Sequence, residues 1–330
     1  MAVIPRSKHG VLYLFLAVIF VALFAALFLT FQGYQYQDEQ EVISLRVHTM
    51  DDFVADLHED LDRAAFISGF RSLIGVEEYL SQRGTFFDNQ SSMEESFRVV
   101  FLQGSYNGTD LFIMENASFT DYIERVRVQA QRIGLNLTVN ITNVTIEQST
   151  PWVVLVRFTG SFIVADNLHE SWWNYTERFD TEVPIYGLKD PLYTVNTLGR
   201  VPNMINEYAL PPEGYVDDDN DTAVLKEFLE GSYYRESSGA PSFVQRFTNN
   251  LSSSPLGIES LVYLPALSDQ GVVVKSDRGV VDHIYFSAGP DNSTDRCQVQ
   301  NMIYTPDWFR LDQGHMDDYE LDNLSSSPCG

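Results

Sequence analysis

Lysine is nearly missing from this chain, with four residues against seventeen arginines in 330. The 21 basic residues face 46 aspartates and glutamates, a formal net charge of −25. No basic stripe is left over to neutralise a phosphate backbone, so no nucleic-acid partner is expected. Cysteine is as scarce. Cys297 and Cys329 are the only two, too few for a disulfide-dense scaffold or a cysteine metal cluster. They either remain free thiols or pair, closing a loop of about thirty residues worth on the order of 3 kcal/mol. Repeats of fixed period are absent, and no catalytic or cofactor motif stands out, so the expectation is a non-enzyme without a cofactor.

Charge is wholly absent from one stretch. Val11 to Leu29 reads VLYLFLAVIFVALFAALFL, without a proline or a glycine. At 1.5 Å per helical residue it spans about 28 Å, the thickness of a bilayer's hydrocarbon core. Arg6 and Lys8 precede it, while Asp38, Glu39 and Glu41 follow. That bias places the N-terminus in the cytoplasm and the large C-terminal part outside the cell membrane. A cleaved secretory signal is the rival reading, but its apolar core runs only about 7 to 15 residues and ends in a small-x-small site. Ala25-Ala26 followed by Leu-Phe-Leu matches such a site poorly, so a retained single-pass anchor is expected.

Asparagine supports the outward placement. Roughly two or three Asn-x-Ser/Thr sequons are expected by chance among seventeen asparagines. Eleven are present: Asn89, Asn107, Asn116, Asn136, Asn140, Asn143, Asn174, Asn220, Asn250, Asn292 and Asn323. All follow the span, which points to N-glycosylation. Few lysines, many arginines and abundant carboxylate form the balance associated with high salt, where screening suppresses self-repulsion. With the sequons, the chain resembles an acidic surface glycoprotein of a halophilic archaeon.

From Ile43 the apolar positions Ile43, Val47, Met50, Val54, Leu57, Leu61 and Ala64 alternate spacings of four and three. This heptad-like stripe predicts one long amphipathic helix, continuing from the membrane to about Gln82 with Gly84 as its stop. Gly33 is a place where it could bend. The stripe packs either on the protein's own globular part or, through residues 43–64, on copies of itself. Three heptads are marginal as an independent coiled coil, which favours the first.

Beyond Gly84, Ser96 to Leu102 and Leu111 to Met114 read as short strands. Ser118 to Ile133 reads as a helix opened by a Ser118/Asp121 capping box and ended by Gly134. Leu135, Leu137, Val139 and Ile141 alternate with polar residues, a half-buried strand. Trp152 to Ala165 and Trp172 to Tyr186 predict a hairpin, with Trp172, Trp173 and Tyr175 read as core packing in preference to a sugar-stacking cluster. Gly187 to Thr197 reads as a turn joining two halves. Thr222 to Glu230 and Pro241 to Thr248 read as short helices, Val272 to Lys275 and Val280 to Phe286 as a hairpin, and the last twenty residues as a frayed acidic tail. The expected fold is α+β. Residues 1–10 form a cytoplasmic leader, 11–31 a transmembrane helix and 32–84 a helical stalk. An antiparallel β-rich extracellular domain spans 85–194, a second mixed half 195–310, and the tail 311–330.

Chemistry is sparse. Asp217, Asp219 and Asp221 alternate like the first ligands of a calcium loop, but Thr222 and Phe228 stand where that loop wants glycine and glutamate. A solvated acidic loop is the simpler reading. His58-Glu59 and His169-Glu170 begin like a zinc-protease motif and lack its second histidine. Asp282-His283 and the pair Asp312 and His315 suit a hydrolase constellation only if a serine joins them, and no G-x-S-x-G elbow does.

A short basic leader ending in glycine (Arg6, Lys8, Gly10), an immediate apolar run and an amphipathic continuation resemble a type IV pilin. The resemblance covers residues 6 to 80. It implies cleavage between Gly10 and Val11, and a filament subunit whose head is larger than a minimal pilin's, as in a minor or tip subunit. Phe15 stands where many pilins carry glutamate, and His9 replaces a basic residue. The functional expectation is a membrane-anchored extracellular glycoprotein with a structural or adhesive role, partnered by the lipid bilayer and by copies of itself or other envelope proteins. The alternative is a membrane-tethered extracellular enzyme or solute-binding module.

Overall fold

The structure, a computed structural model, describes residues 8–167, 171–216, 221–287, 296–299 and 306–321; the side chains of 8–11, 31–42 and 296–298 lie outside this description. The chain is a mixed α+β protein built on one helix, α1, which runs without interruption for 76 residues over Lys8–Arg83. At 1.5 Å per residue it is about 114 Å long. Gly33 does not break it. It stops at Gly84, whose φ of 67° is the left-handed conformation that glycine enters freely.

Among the described residues, the buried side chains of α1 lie in its second half. Met50, Leu57, Leu61, Ala64, Leu73, Val76 and Leu80 are buried, continuing the stripe seen in the sequence. They meet α2 (Gln90–Gln103), α3 (Phe119–Arg132) and a three-stranded sheet. A small ladder, β1 (Ser105–Tyr106) paired with β2 (Thr109–Asp110), lies beside α2. The main sheet is an antiparallel meander of β3 (Leu135–Thr150), β4 (Val153–Asp166) and β5 (Trp172–Pro184), with β4 central. Gly69 lets α1 approach it closely, because a Cβ there would lie 3.1 Å from Val156 Cγ2. Phe158 on β4 sits among three other rings, 4.9 Å from those of Phe119 and Phe179 and 6.0 Å from that of Phe101.

Several local expectations are corrected. Residues 96–102 are not a strand. Met93, Phe97, Val100 and Phe101 are buried at helical spacing, and Asn89 opens α2 through a reciprocal capping box with Ser92. Residues 112–114 form a short 3-10 turn. The expected turn at 187–197 is α4 (Pro191–Asn196), capped by Asp190 and buried over five of its six residues, so it shows no amphipathic period. β3 runs on to Thr150 through a register shift between Thr142 and Thr145, with Asn143 at φ 54°.

The apolar core does not stop at residue 194. Val195, Ile205, Tyr234, Phe243, Phe247 and Ile258 belong to the same cluster as the sheet. Around them sit α5 (Ala223–Glu230), β6 (Tyr234–Glu236), α6 (Phe243–Arg246), β7 (Ile258–Ser260) and α7 (Leu264–Asp269). The hairpin expected at 272–286 is absent; residues 282–285 form α8 (Asp282–Tyr285), and 272–275 are a loop. A short apolar run does not distinguish strand from helix by period. Residues 310–321 are not frayed. After β8 (Arg296–Gln298), β9 (Arg310–Asp312) pairs with it and α9 (Gln313–Asp318) follows, burying Leu311, Met316, Tyr319 and Leu321.

Candidate functional site: the anchor helix and the sequon face

Leu12–Thr30 of α1 is uncharged, strongly apolar and entirely unburied, the one helix among the described residues long and apolar enough to cross a membrane. It fits a single-pass membrane anchor. Thr30, at its end, returns its hydroxyl to the carbonyls of Ala26 and Leu27, so no polar group is left unsatisfied there. Gly10 and Val11 lie within the helical backbone just before it. Beyond the span, three apolar side chains remain exposed, Ile43 at 48%, Leu45 at 69% and Val47 at 39%, beside Arg46, which donates to Asp166 Oδ2 of β4 at 3.1 Å. Burial begins at Met50.

The sheet register sorts the sequons. Facing residues on adjacent antiparallel strands share a face, so Leu137, Val164 and Trp173 lie on one side and Asn136, Ala165 and Trp172 on the other. Asn140 faces Ser161 and Thr176, and Thr138 faces Ile163 and Asn174. Asn136, Asn140 and Asn174 therefore share the outer face, opposite the one packed on the helices. Asn143 is exposed at the bulge. Asn89, Asn107, Asn116 and Asn250 are exposed as well. Asn107 and Asn116 hold left-handed φ values of 49° and 55°, in turns where asparagine is tolerated. Asn220, Asn292 and Asn323 lie outside the described residues. Trp172 and Trp173 are exposed and not core; only Tyr175 packs inward, its ring 5.0 Å from that of Phe162.

Two ionic clusters lie inside the second half. In the first, Arg246 Nη1 donates to Asp190 Oδ2 at 2.6 Å and to Asp282 Oδ2 at 2.8 Å, all three side chains having no exposure. Tyr234 donates to Asp190 at 2.8 Å, and Asn203 donates to the Tyr234 oxygen at 2.9 Å. Burial pushes the Asp190 carboxyl up, with the neighbouring Asp282 adding to it against the pull of Arg246. Burial also opposes ionisation of Asp282, yet Arg246 and His283 hold it down at about 2. This cluster joins α4, α6 and α8, three segments distant in sequence.

The second cluster contains Glu259 of β7 and His315 of α9. Glu259 is fully buried and accepts from the Tyr319 hydroxyl at 3.1 Å on Oε1. Arg235 Nε lies 3.4 Å from the same oxygen. His315 stands between Asp312 Oδ2, 2.6 Å from its Nδ1, and Glu259 Oε2, 3.3 Å from its Nε2. The two histidines named for a hydrolase constellation lie near each other, with the rings of His283 and His315 5.9 Å apart. Ser260 donates to Asp282 at 3.0 Å, as a partner of the same carboxylate that His283 touches at 3.3 Å. Among the described residues no serine hydroxyl is hydrogen-bonded to an imidazole. Neither Arg246 nor Glu259 was singled out from sequence, although a charge inside the apolar run Ile258-Glu259-Ser260-Leu261-Val262 is a signal of a buried, partnered group.

Of the remaining expected residues, Asp221 accepts the Ala223 amide at 2.8 Å and so starts α5, while Asp217 and Asp219 lie outside the described residues. His58 lies 3.1 Å from Glu177, with its ring 5.5 Å from that of Phe179. Cys297 is in β8, whereas Cys329, like His169 and Glu170, lies outside the described residues. No protein-family model, curated protein or solved structure matches the chain.

Proposed function

We propose that the chain is a surface glycoprotein with a structural or adhesive role, held by its single N-terminal helix with the head outside the cell membrane, and that its sharpest form is a pilin-like subunit assembling through α1. The observation that carries this reading is the middle of that helix. Between the span and Met50, the described stretch 43–49 touches the head through Arg46, whose Nη1 donates to Asp166 Oδ2 at 3.1 Å, while three of its apolar side chains stay exposed. Exposed Ile43, Leu45 and Val47 there would cost little only if something apolar covers them. Packing of the same helix from neighbouring copies supplies that cover, while residues 50–80 stay committed to the head. The sequons fit the same placement, since sugar on Asn136, Asn140 and Asn174 shields the outer sheet face and leaves α1 open. Trp172, facing Asn136 across Ala165, is positioned to lie against such sugar.

The test is cysteine cross-linking in native membranes, in a Cys297→Ser/Cys329→Ser background. Leu45→Cys and Val47→Cys are expected to form dimers and higher species under mild oxidation, and Thr109→Cys at an exposed head turn is not. Monomer at every α1 position removes the assembly reading.

A further inference from the structure

The geometry points to a divalent metal site of the zinc class formed by Glu259, His315 and Asp318. Their ligand atoms all lie within 4.8 Å of one another. The Nε2 of His315 and Oε2 of Glu259 are already 3.3 Å apart, close to the roughly 3.4 Å separating ligands around a four-coordinate ion with bonds of about 2.1 Å. Only Asp318 has to swing inward. Its carboxylate is half-exposed, with Oδ2 in a loose 3.4 Å contact to Arg235 Nη2.

Three observations converge on a cation at this point. Glu259 has no exposed side-chain surface, and its Oε2 is nonetheless a buried acceptor without a hydrogen bond of sound geometry. A buried carboxylate oxygen left in that state is costly, and a bound cation removes the cost. Second, Asp312 lies 2.6 Å from His315 Nδ1 and so fixes the proton there, turning the Nε2 lone pair toward Glu259. That carboxylate–imidazole arrangement is the usual outer-shell support of a metal-binding histidine. The Nε2 and Oε2 that then face each other are joined either by a second proton on the imidazole or by a bound cation. Third, when an ion takes the place of the second imidazole proton, Glu259, Asp312 and Asp318 against Arg235 leave two negative charges, the complement of one divalent ion. One nitrogen and two carboxylate oxygens suit zinc or manganese better than calcium, which prefers oxygen alone.

His315 and Asp318 are three residues apart on α9, and Glu259 lies on β7. The ion would thus pin the segment 306–321 to the head, a structural clip with an open fourth position toward solvent. The site is independent of the glycoprotein reading and of assembly through α1.

The experiment uses the full chain in detergent micelles, free of affinity tag and stripped with a chelator. Calorimetric titration with zinc ion alone is expected to give one saturable site and a rise in Tm. Asp312→Asn keeps the helix cap but supports the imidazole less well, and is expected to weaken zinc about 10- to 100-fold. Asp318→Asn removes a ligand at the surface, where folding is not at stake, and is expected to weaken zinc at least as much. Absence of saturable zinc binding in the wild type overturns the site and leaves an imidazolium salt bridge in its place. Unchanged affinity in both variants, or calcium binding as tightly as zinc, overturns it equally.

Discussion

Replacing Arg246 by methionine isolates what the buried ionic cluster does. The guanidinium has no exposure and is the common partner of two carboxylates that also have none. Methionine retains much of the apolar volume, so the loss is electrostatic: Asp190 and Asp282 remain inside, side by side, without their counter-charge. Removing one member of a buried ion pair costs about 3–5 kcal/mol. For a folded part of some 250 residues each kcal/mol shifts Tm by about 2–4 °C, so the full chain in detergent should melt roughly 6–20 °C lower near neutral pH. The sign of the pH dependence follows from the same geometry. Without Arg246 both carboxyls titrate above their unfolded value of about 3.9 in the folded state, which then binds protons preferentially. The variant's deficit should therefore be largest at neutral pH and shrink as pH falls towards about 5. The two aspartates should rank unequally. Asp282→Asn removes the carboxylate that Arg246 and His283 hold ionised, whereas Asp190→Asn replaces one that burial already pushes toward neutrality. An asparagine at 190 keeps the bond from the Leu192 amide on its single oxygen and loses those that the second carboxylate oxygen accepts from Tyr234 and Arg246. A Tm loss under about 3 °C for Arg246→Met, a deficit independent of pH, or an Asp190→Asn more damaging than Asp282→Asn would refute this reasoning.

Phe158→Ala should cost about 3–5 kcal/mol by chemical denaturation, because it empties the centre of the Phe101, Phe119 and Phe179 cluster, while Phe112→Ala at an exposed site should fall within about 0.5 kcal/mol of wild type. Ser118 is both the cap of α3 and the third residue of the Asn116 sequon. Ser118→Ala should therefore lose one glycan mass and about 0.5–2 kcal/mol, whereas Asn116→Gly should lose the same mass without that destabilisation, since glycine adopts φ 55° freely. Equal stability of these two variants would mean that the capping box contributes nothing.

Elements announced by a local pattern were legible in the sequence. The uncharged run of α1, the four-three stripe from Met50 onward, the Ser118 box and the alternation of Leu135 to Ile141 each carry their period or cap within a few residues. The start of α2 is hard to read because Asn89, a sequon asparagine, is also the residue whose side chain caps the helix. α4 and α8 are short and buried, and a segment surrounded by core shows no amphipathic period to detect. The clusters at Arg246 and Glu259 carry little local signature beyond the lone charge in the apolar run Ile258 to Val262. Their members come from positions 190, 246 and 282, and from 259, 312, 315 and 318, and only the tertiary fold brings them within hydrogen-bond reach. The exposure of Ile43, Leu45 and Val47 was also invisible from pattern, because the stripe runs unbroken into the part that the head buries.

Mass spectrometry of the protein purified from its native membrane, read on the N-terminal peptide and on the peptides carrying Asn136, Asn140 and Asn174, tests the central claim most directly. The account predicts a chain that retains the 12–30 span, begins at Val11 in its pilin-like form, and bears sugar on the outer-face asparagines. A chain keeping the leader through Gly10 contradicts the processed-pilin form. A chain cut beyond the span, with those asparagines unmodified, contradicts the anchored surface glycoprotein itself.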